Sequence, residues 1–543
     1  MVCGIGASGQ VNVTTWHNDN ARTGQNTYET VLTREMVGNR NSFGKLCSAT
    51  LDGMVHAQPL VVQVAIGGRP HTAVFVATQN DTVYAFDGVA YQAGQPCTQL
   101  AMRHLPPSGS SAAGNGILGT PVIDTNTDIL YLVAESQNSS GALRHQIYAL
   151  DITQATLPNR VAPVEISGGS FSSTTEVQRS ALLGLTSAPG GPLHSVYVAF
   201  SRMPGPGANK HGWLFSYDPA TLARRAFYCD TCWSGATNPT GAGIWQSGGG
   251  PAAGIDTLGG QTYLYFATGE GTFDLDSGGE DAADTFVKLT PDLSTVAGFF
   301  TPADQACRSC PQLGAEHDLD FGAGGVILIP NGLLADYPYI AVMADKEGYI
   351  WVMDRDNPGG YQGSSTGSCP RLVCRGTNRN IETLKASANQ FLSSAAYWNH
   401  NLYYGAQNNK LKKYELANSV CEKGEPPVCA SQRSTAMNFS YGTTPSVSSN
   451  GTAEGIVWAI KANGQEPSTS AGTLYAFRSD TLAELYDSNQ CTIGGVNQDQ
   501  PGAATTFSVP TIANGRVYIG TQGGDAGSAG GFYMYGPISR SCD

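Results

Sequence analysis

The chain has 543 residues, of which 67 are Gly and only 13% are charged, and its net charge is −13. A charged fraction so far below the usual quarter, with this much Gly, suits many short strands joined by tight turns and argues against helix bundles. The acidic balance excludes nucleic acid and an anionic membrane surface as expected partners, because a phosphate backbone demands a basic patch and Lys410-Leu411-Lys412-Lys413 is too short to be one.

Taken from the start, Met1 to Gly9 has neither the basic n-region nor the apolar h-region of a signal peptide. No apolar run approaches the length of a membrane span. The 13 cysteines include the close pairs Cys229/Cys232, Cys307/Cys310, Cys369/Cys374 and Cys421/Cys429. No Cys or His completes a zinc ribbon at the usual spacing, so these read as disulfides stapling loops in an oxidising compartment. Cys3 and Cys542 are placed to tie the termini together, and one cysteine of the odd total is left over. Asn12, Asn80, Asn138, Asn438 and Asn450 open glycosylation sequons. The expectation is a secreted protein, extracellular or periplasmic.

Residues 1–43 hold few strands but carry the polar cluster Trp16-His17-Asn18-Asp19-Asn20-Ala21-Arg22-Thr23-Gly24-Gln25-Asn26. Such a density of amides and charges either lines a channel or caps the neighbouring strands, since buried amides must find partners. Eight cognate units follow, each with several short strands: Gln58–Asp87, Thr120–Asp151, Ser180–Asp218, Gly249–Leu289, Gly324–Asp354, Ser393–Leu416, Thr444–Asp480 and Ser508–Tyr535. Units of this kind cannot bury their apolar faces alone and must stack, and strand-only units favour a ring that leaves few edges. The eighth unit lacks an outer strand, which Phe43–Thr50 can supply. The fold expected is all-β: a single eight-bladed β-propeller over residues 44–543, closed by an N-terminal strand, with residues 1–43 as an extension packed on it.

Function is sought in the stretch Gly248–Leu289. There the alternating run Thr262–Ala267, which reads as a half-buried strand, leads into an acidic, Gly-rich loop. Asp274, Asp276, Glu280, Asp281 and Asp284 place five carboxylates within eleven positions, and hard oxygen ligands on Gly-permitted turns are what Ca2+ requires. The same residues equally describe a solvated acidic loop. Gly363-Ser364-Ser365-Thr366-Gly367 matches a nucleophile elbow only by letters, without its strand–turn–helix context. Asp124-Thr125-Asn126-Thr127-Asp128 reads as a tight turn.

The unit-end elements TVYAFD, IYALD and TLYAF resemble the repeats of the pyrroloquinoline quinone (PQQ) propeller superfamily, over about nine-tenths of the chain. The middle units resemble the quinoprotein alcohol dehydrogenases: Thr268-Gly269-Glu270-Gly271-Thr272 looks like their T-G-N-G-S, Glu316–Phe321 like their H-D-x-W-D-Y, and Asp345–Arg355 like their K-N-G-x-x-Y-V-x-D-R element. From VTTWHNDNARTGQN onward the chain is similar to bacterial secreted PQQ-like propellers of unassigned function. The resemblance implies PQQ and Ca2+ as cofactors, with Glu270, Asp274, Asp276, Glu280 and Asp284 as metal ligands and Asp281 abstracting the alcohol proton. It further implies Lys346 donating to the quinone oxygens, Trp245 stacking under its ring and Glu176 completing the metal shell. His317, Asp318 and Asp320 are expected to pin a strand and a turn. The chain departs from the family in having Glu270 for Asn, no adjacent Cys pair, and no C-x-x-C-H, hence no haem. Two functions are therefore expected in competition. One is a Ca2+- and PQQ-dependent oxidoreductase of alcohols, polyols or sugars; the other is a non-catalytic extracellular propeller that binds a glycan or a protein partner or serves as a scaffold. A lyase or hydrolase site is not located.

Overall fold

The computed structural model describes residues 10–92, 94–105, 115–202, 211–232, 240–256, 260–310, 318–367, 372–417, 428–431, 433–522 and 530–543. Eight antiparallel sheets stand side by side in a ring. Blade 1 runs from Leu60–Ile66 to Gln99–His104, blade 2 from Val122–Asp124 to Val164–Glu165, blade 3 from Leu183–Thr186 to Arg224–Cys229, and blade 4 from Ala252–Asp256 to Val296–Phe300. Blade 5 runs from Ile327–Leu328 to Glu382–Lys385, blade 6 from Ala396–Trp398 to Arg433–Phe439, and blade 7 from Ser446–Asn450 to Glu484–Asp487. Blade 8 holds Thr511–Ala513, Arg516–Thr521 and Gly531–Pro537, and Phe43–Thr50 completes it, with Phe43 opposite Pro537 and Thr50 opposite Gly531. The first strand of blade 1 packs against the first strand of blade 8, which closes the ring. No helix among the described residues is long and apolar enough to cross a membrane.

One apolar cluster fills each junction between neighbouring blades, and the two-residue period of the strands feeds two junctions at once. In blade 1, Ala73, Phe75 and Ala77 enter the core shared with blade 2, while Val74 and Val76 enter the core shared with blade 8. In blade 4, Leu264 and Phe266 pack toward blade 3, and Tyr265 and Ala267 toward blade 5. The Thr262–Ala267 run is thus buried on both faces along its second half, not half-buried, because a blade has a neighbour on each side.

Residues 13–26 do not pack on the outside of the ring but run round its inner wall, with a hydrogen bond to every blade. Val13 and Val61 exchange bonds in blade 1, and Ile123 of blade 2 donates to Thr14 O. Asn20 Nδ2 donates to Gly184 O of blade 3. Ala253, Leu328, Tyr397 and Val447 of blades 4 to 7 donate to Asn20, Ala21, Thr23 and Gly24 carbonyls at 2.7–2.8 Å. Asn26 Nδ2 reaches Ile512 O of blade 8. Arg22 sits at the middle of this strap, fully buried; it donates to Pro251 O twice, to Leu182 O, to Trp16 O and to Thr15 Oγ1. The polar cluster therefore lines the channel and partners the inner strands in one arrangement.

The cysteine pairing differs from proximity in sequence. Cys47–Cys97 fastens the closing strand to blade 1, Cys307 bonds Cys374 instead of Cys310, and Cys542 bonds Cys491, so it is not available to Cys3. Cys229–Cys232 is joined within its close pair. Cys3, Cys369 and Cys421 lie outside the described residues.

Two tests follow from this packing. Arg22→Met keeps the bulk but leaves the Pro251 and Leu182 carbonyls without donors, and should cost about 3–5 kcal/mol in chemical denaturation; a loss below about 1 kcal/mol would show that the strap does not hold the blades. The second concerns Asp81, in the turn after Arg69–Ala77, which is fully buried with neither carboxylate oxygen hydrogen-bonded. Burial first, then the Glu135 and Asp52 charges, push its carboxyl up to about 8. Its folded pKa lies above its unfolded one, so the native state holds the proton and stability falls as pH rises from about 4 to about 8. Asp81→Asn, which tolerates the positive φ of 59°, should flatten that slope by several kcal/mol, on the order of 3–5; parallel pH profiles for the two proteins would refute the assignment.

Candidate functional site

A cleft of about 590 Å3 opens where the ends of blades 3, 4 and 5 meet. The strand Gln261–Ala267 delivers Thr268-Gly269-Glu270 to it. Thr268 Oγ1 receives the Thr285 amide at 3.0 Å and so locks the returning strand. The segment before Phe321 delivers Asp318 and Asp320, and the turn after Ile340–Ala344 delivers Lys346. Arg202 comes from the end of Leu193–Arg202, and Trp245 from the turn before blade 4. Gly269 is required by close approach: a Cβ there would lie 2.3 Å from Asp320 Oδ1, and that oxygen instead receives the Glu270 amide at 3.0 Å.

Glu270, Asp318 and Asp320 bring a carboxylate oxygen each within 4.8 Å of one another. Lys346 Nζ stands 2.6 Å from both Asp318 and Asp320, and Arg202 pairs with Glu270. Three carboxylates against two cations leave one negative charge when all are ionised, a balance that favours one more cation. Burial, then the Asp320 charge, push the Glu270 carboxyl up to about 7 against the pull of Arg202. Burial acts against the charge of Asp320 as well, but the Lys346 ammonium outweighs it and holds Asp320 below the ordinary range. Lys346 is held above the lysine value in turn, since Asp320 and Asp318 outweigh its burial. Its position is fixed from below by Arg308, which is buried and pairs with Asp304, Asp345 and Glu347, while Asp345 accepts the Trp351 indole N–H at 2.8 Å.

The side wall is aromatic. Trp245 and Phe507 meet edge-to-face at 6.4 Å, and both also line an adjoining cleft of about 360 Å3 with His56, Gln79, Asn115, Arg179, Glu466 and Thr506. Arg179 forms no ion pair among the described residues, and its Nη2 has no hydrogen-bond acceptor. Burial, then the Arg179 charge, push His56 down to about 3, so that it is neutral. The Trp245 turn is held by three consecutive residues of positive φ, Gln246, Ser247 and Gly248. They are kept there by Ser247 Oγ donating to Ala323 O at 2.6 Å and by Gln246 Oε1 accepting from Ala267 N.

Of the residues singled out in the sequence, Trp245, Glu270 and Lys346 come together here. The others do not. Asp281 is fully buried away from the cleft, its amide bonded to Asp274 Oδ1. Asp274 starts a short turn and accepts the Asp281 amide, and Asp276 and Glu280 face solvent. Asp284 is buried behind Glu270, accepting from Ser309 Oγ and Phe321 N. Glu176 points at its own loop and His211, accepting from Ser172 N and His211 N. Asp318 and Asp320, expected only to pin a turn, face the cleft; the Asp-x-Asp spacing beside an aromatic was the available signal. His317 lies outside the described residues.

No family model matches the sequence, and a comparison with curated proteins finds no relative. Solved structures do match in fold. The quinohemoprotein alcohol dehydrogenase of Comamonas testosteroni aligns with TM-score 0.60 at 14% identity, over 99% of this chain and 82% of that one. A europium-containing methanol dehydrogenase aligns with TM-score 0.57 at 14% identity, over 97% and 98%. A quinohemoprotein alcohol dehydrogenase of Pseudomonas putida aligns with TM-score 0.55 at 12% identity, over 98% and 81%. At these identities the likeness establishes the eight-bladed propeller, and the chain is similar to these enzymes in fold.

Proposed function

We propose that the protein is a secreted oxidoreductase of alcohols, polyols or sugars that works with Ca2+ and a PQQ-type quinone in the Trp245–Glu270–Lys346 cleft. One observation carries this reading: three residues from separate turns, each suggested by a different sequence element, line a single cleft beside two further carboxylates. The names of the enzymes that share the fold lend it support.

The residues present fit such a group. Glu270, Asp318 and Asp320 offer hard oxygens to a cation of the Ca2+ class, and Trp245 offers a flat apolar wall to a ring system. Lys346 places an ammonium where it can donate to an anionic oxygen. The adjoining Arg179, which feels the Glu466 charge but forms no ion pair among the described residues, keeps an Nη2 without an acceptor that suits a carboxylate at the ligand's far end. The quinone, when bound, supplies the two-electron acceptor. The chain itself has to hold the substrate hydroxyl and take its proton. Asp320, kept ionised by Lys346, is a weak base and anchors the cation end. Glu270, pushed up to about 7 by burial while no cation is bound, can accept that proton at its carboxylate when Asp318 and Asp320 carry the cation. Asp281, sealed from the cleft, takes no part in this scheme.

The test is titration of the purified protein with PQQ and Ca2+, read by absorbance and by dye-linked oxidation of an alcohol and sugar panel. Wild type should bind the quinone and reduce the dye, Asp320→Asn and Lys346→Met should lose at least about 100-fold in rate, and Asp281→Asn should stay within a few-fold of wild type. Failure of the wild type to bind quinone overturns the proposal in favour of a non-catalytic glycan- or protein-binding propeller.

A further inference from the structure

We propose that His211, Cys229 and Cys232 form a redox-gated site for a zinc-class divalent ion, on blade 3 and separate from the cleft. Arg224–Cys229 is the outer strand of blade 3, and Trp213 lies opposite Cys229 in its neighbour Trp213–Tyr217. Continuing that antiparallel register brings residue 212 opposite 230 and residue 211 opposite 231. The Asp230 amide accordingly donates to Gly212 O at 3.0 Å, and His211 Nδ1 lies 2.9 Å from Thr231 Oγ1. The imidazole is thereby brought against the Cys229-Asp230-Thr231-Cys232 turn, and one ligand atom from each of His211, Cys229 and Cys232 lies within 4.8 Å of the other two.

This is a Cys2His donor set on a C-x-x-C turn, the chemistry a zinc-class ion selects. The Thr231 contact on Nδ1 fixes the ring orientation and leaves Nε2 as the ligand nitrogen; an outer partner on the second nitrogen is the usual companion of a metal-bound His. Asp230, between the cysteines, is fully buried with neither carboxylate oxygen hydrogen-bonded. Its carboxylate lies on the opposite face of the strand, with Tyr228 toward blade 4, and takes no part in the site. Cys229 is in the core, whereas Cys232 is partly exposed and gives access from outside.

In the structure the two sulfurs are joined to each other and offer no thiolate. A dithiol reductant opens the site: it transfers two electrons and two protons to the disulfide, is itself oxidised to a disulfide, and leaves two thiols. Ion binding then displaces those two protons and forms two metal–sulfur bonds and one metal–nitrogen bond, with water in the fourth position. The disulfide is the closed state of the site and the thiol pair the open one.

The test is Co2+ titration of the whole protein before and after treatment with dithiothreitol and its removal, read by absorbance. Reduced protein should take up one equivalent with a thiolate-to-cobalt charge-transfer band and a tetrahedral d–d envelope, and oxidised protein should show neither. Cys229→Ser/Cys232→Ser should abolish the band although the other disulfides are equally reduced. His211→Gln should weaken Co2+ binding by at least about tenfold, with circular dichroism confirming that the fold is kept. If His211→Gln unfolds, Cys232→Ser at the accessible position carries the test alone. No band in the reduced wild type, or a band that survives the double variant, overturns the proposal. Either result is independent of quinone binding in the cleft.

Discussion

The propeller depends on how its innermost strands satisfy their inward edges. A ring of eight sheets removes most edges but leaves the first strand of each blade facing the channel with one side unpaired, and buried backbone groups without partners are costly. Residues 13–26 answer that demand with one chain segment, bonded to each blade by backbone or amide groups. The Phe43–Thr50 strand then leaves the channel and completes blade 8, so the same stretch of sequence fills the centre and closes the circumference. Arg22 concentrates this role. A fully buried guanidinium is tolerable because three carbonyls, one of them bonded twice, and a hydroxyl converge on it, and it binds blades 3 and 4 to the strap.

Much of this is legible in the sequence because it rests on short-range pattern. The repeated strand clusters end in recurrent TVYAFD-like elements, and the missing eighth outer strand points to Phe43–Thr50 as its replacement. What the pattern misstates is burial. The Thr262–Ala267 run alternates in bulk and looks one-sided, yet a strand between two neighbours has no solvent face, so Tyr265 and Phe266 are both in core. Disulfide pairing fails for a related reason: Cys307 reaches Cys374 across 67 residues because folding, not spacing, sets the distance between sulfurs.

The site divides along the same line. Lys346 and Glu270 are legible through the resemblance of their elements, Asp345–Arg355 and Thr268–Thr272, and as turn residues at strand ends both stand at the rim of the propeller. The acidic loop does not form a tight carboxylate group as Glu270, Asp318 and Asp320 do, because density of charge in sequence is not convergence in space. Asp274 spends an oxygen on the Asp281 amide, and Asp281 is drawn inside by that contact. Asp320 carries fewer acidic neighbours in sequence but is bracketed in space by the Glu270 amide on one oxygen and the Lys346 ammonium on the other. Such a placement depends on Gly269 lacking a side chain, which no count of carboxylates reveals.

Strap and cleft are also joined physically, through the turn that carries Trp245. Pro251, which accepts two bonds from Arg22, lies six residues beyond Trp245. Between them Gly249 leaves room for the Trp16 ring, where a Cβ would sit 3.1 Å from it, and Gly248 O accepts the Ala181 amide of blade 3. Three residues of positive φ in a row are costly for a free turn and persist here because the strap holds one end and blade 5 the other, through Ser247 and Ala323 O. The wall of the cleft is therefore the outer surface of the channel filling. The hydrogen bonds that tie the blades to the strap also hold the turn that carries Trp245, so the candidate chemistry stands on bonded framework and its specificity is left to the loops around it.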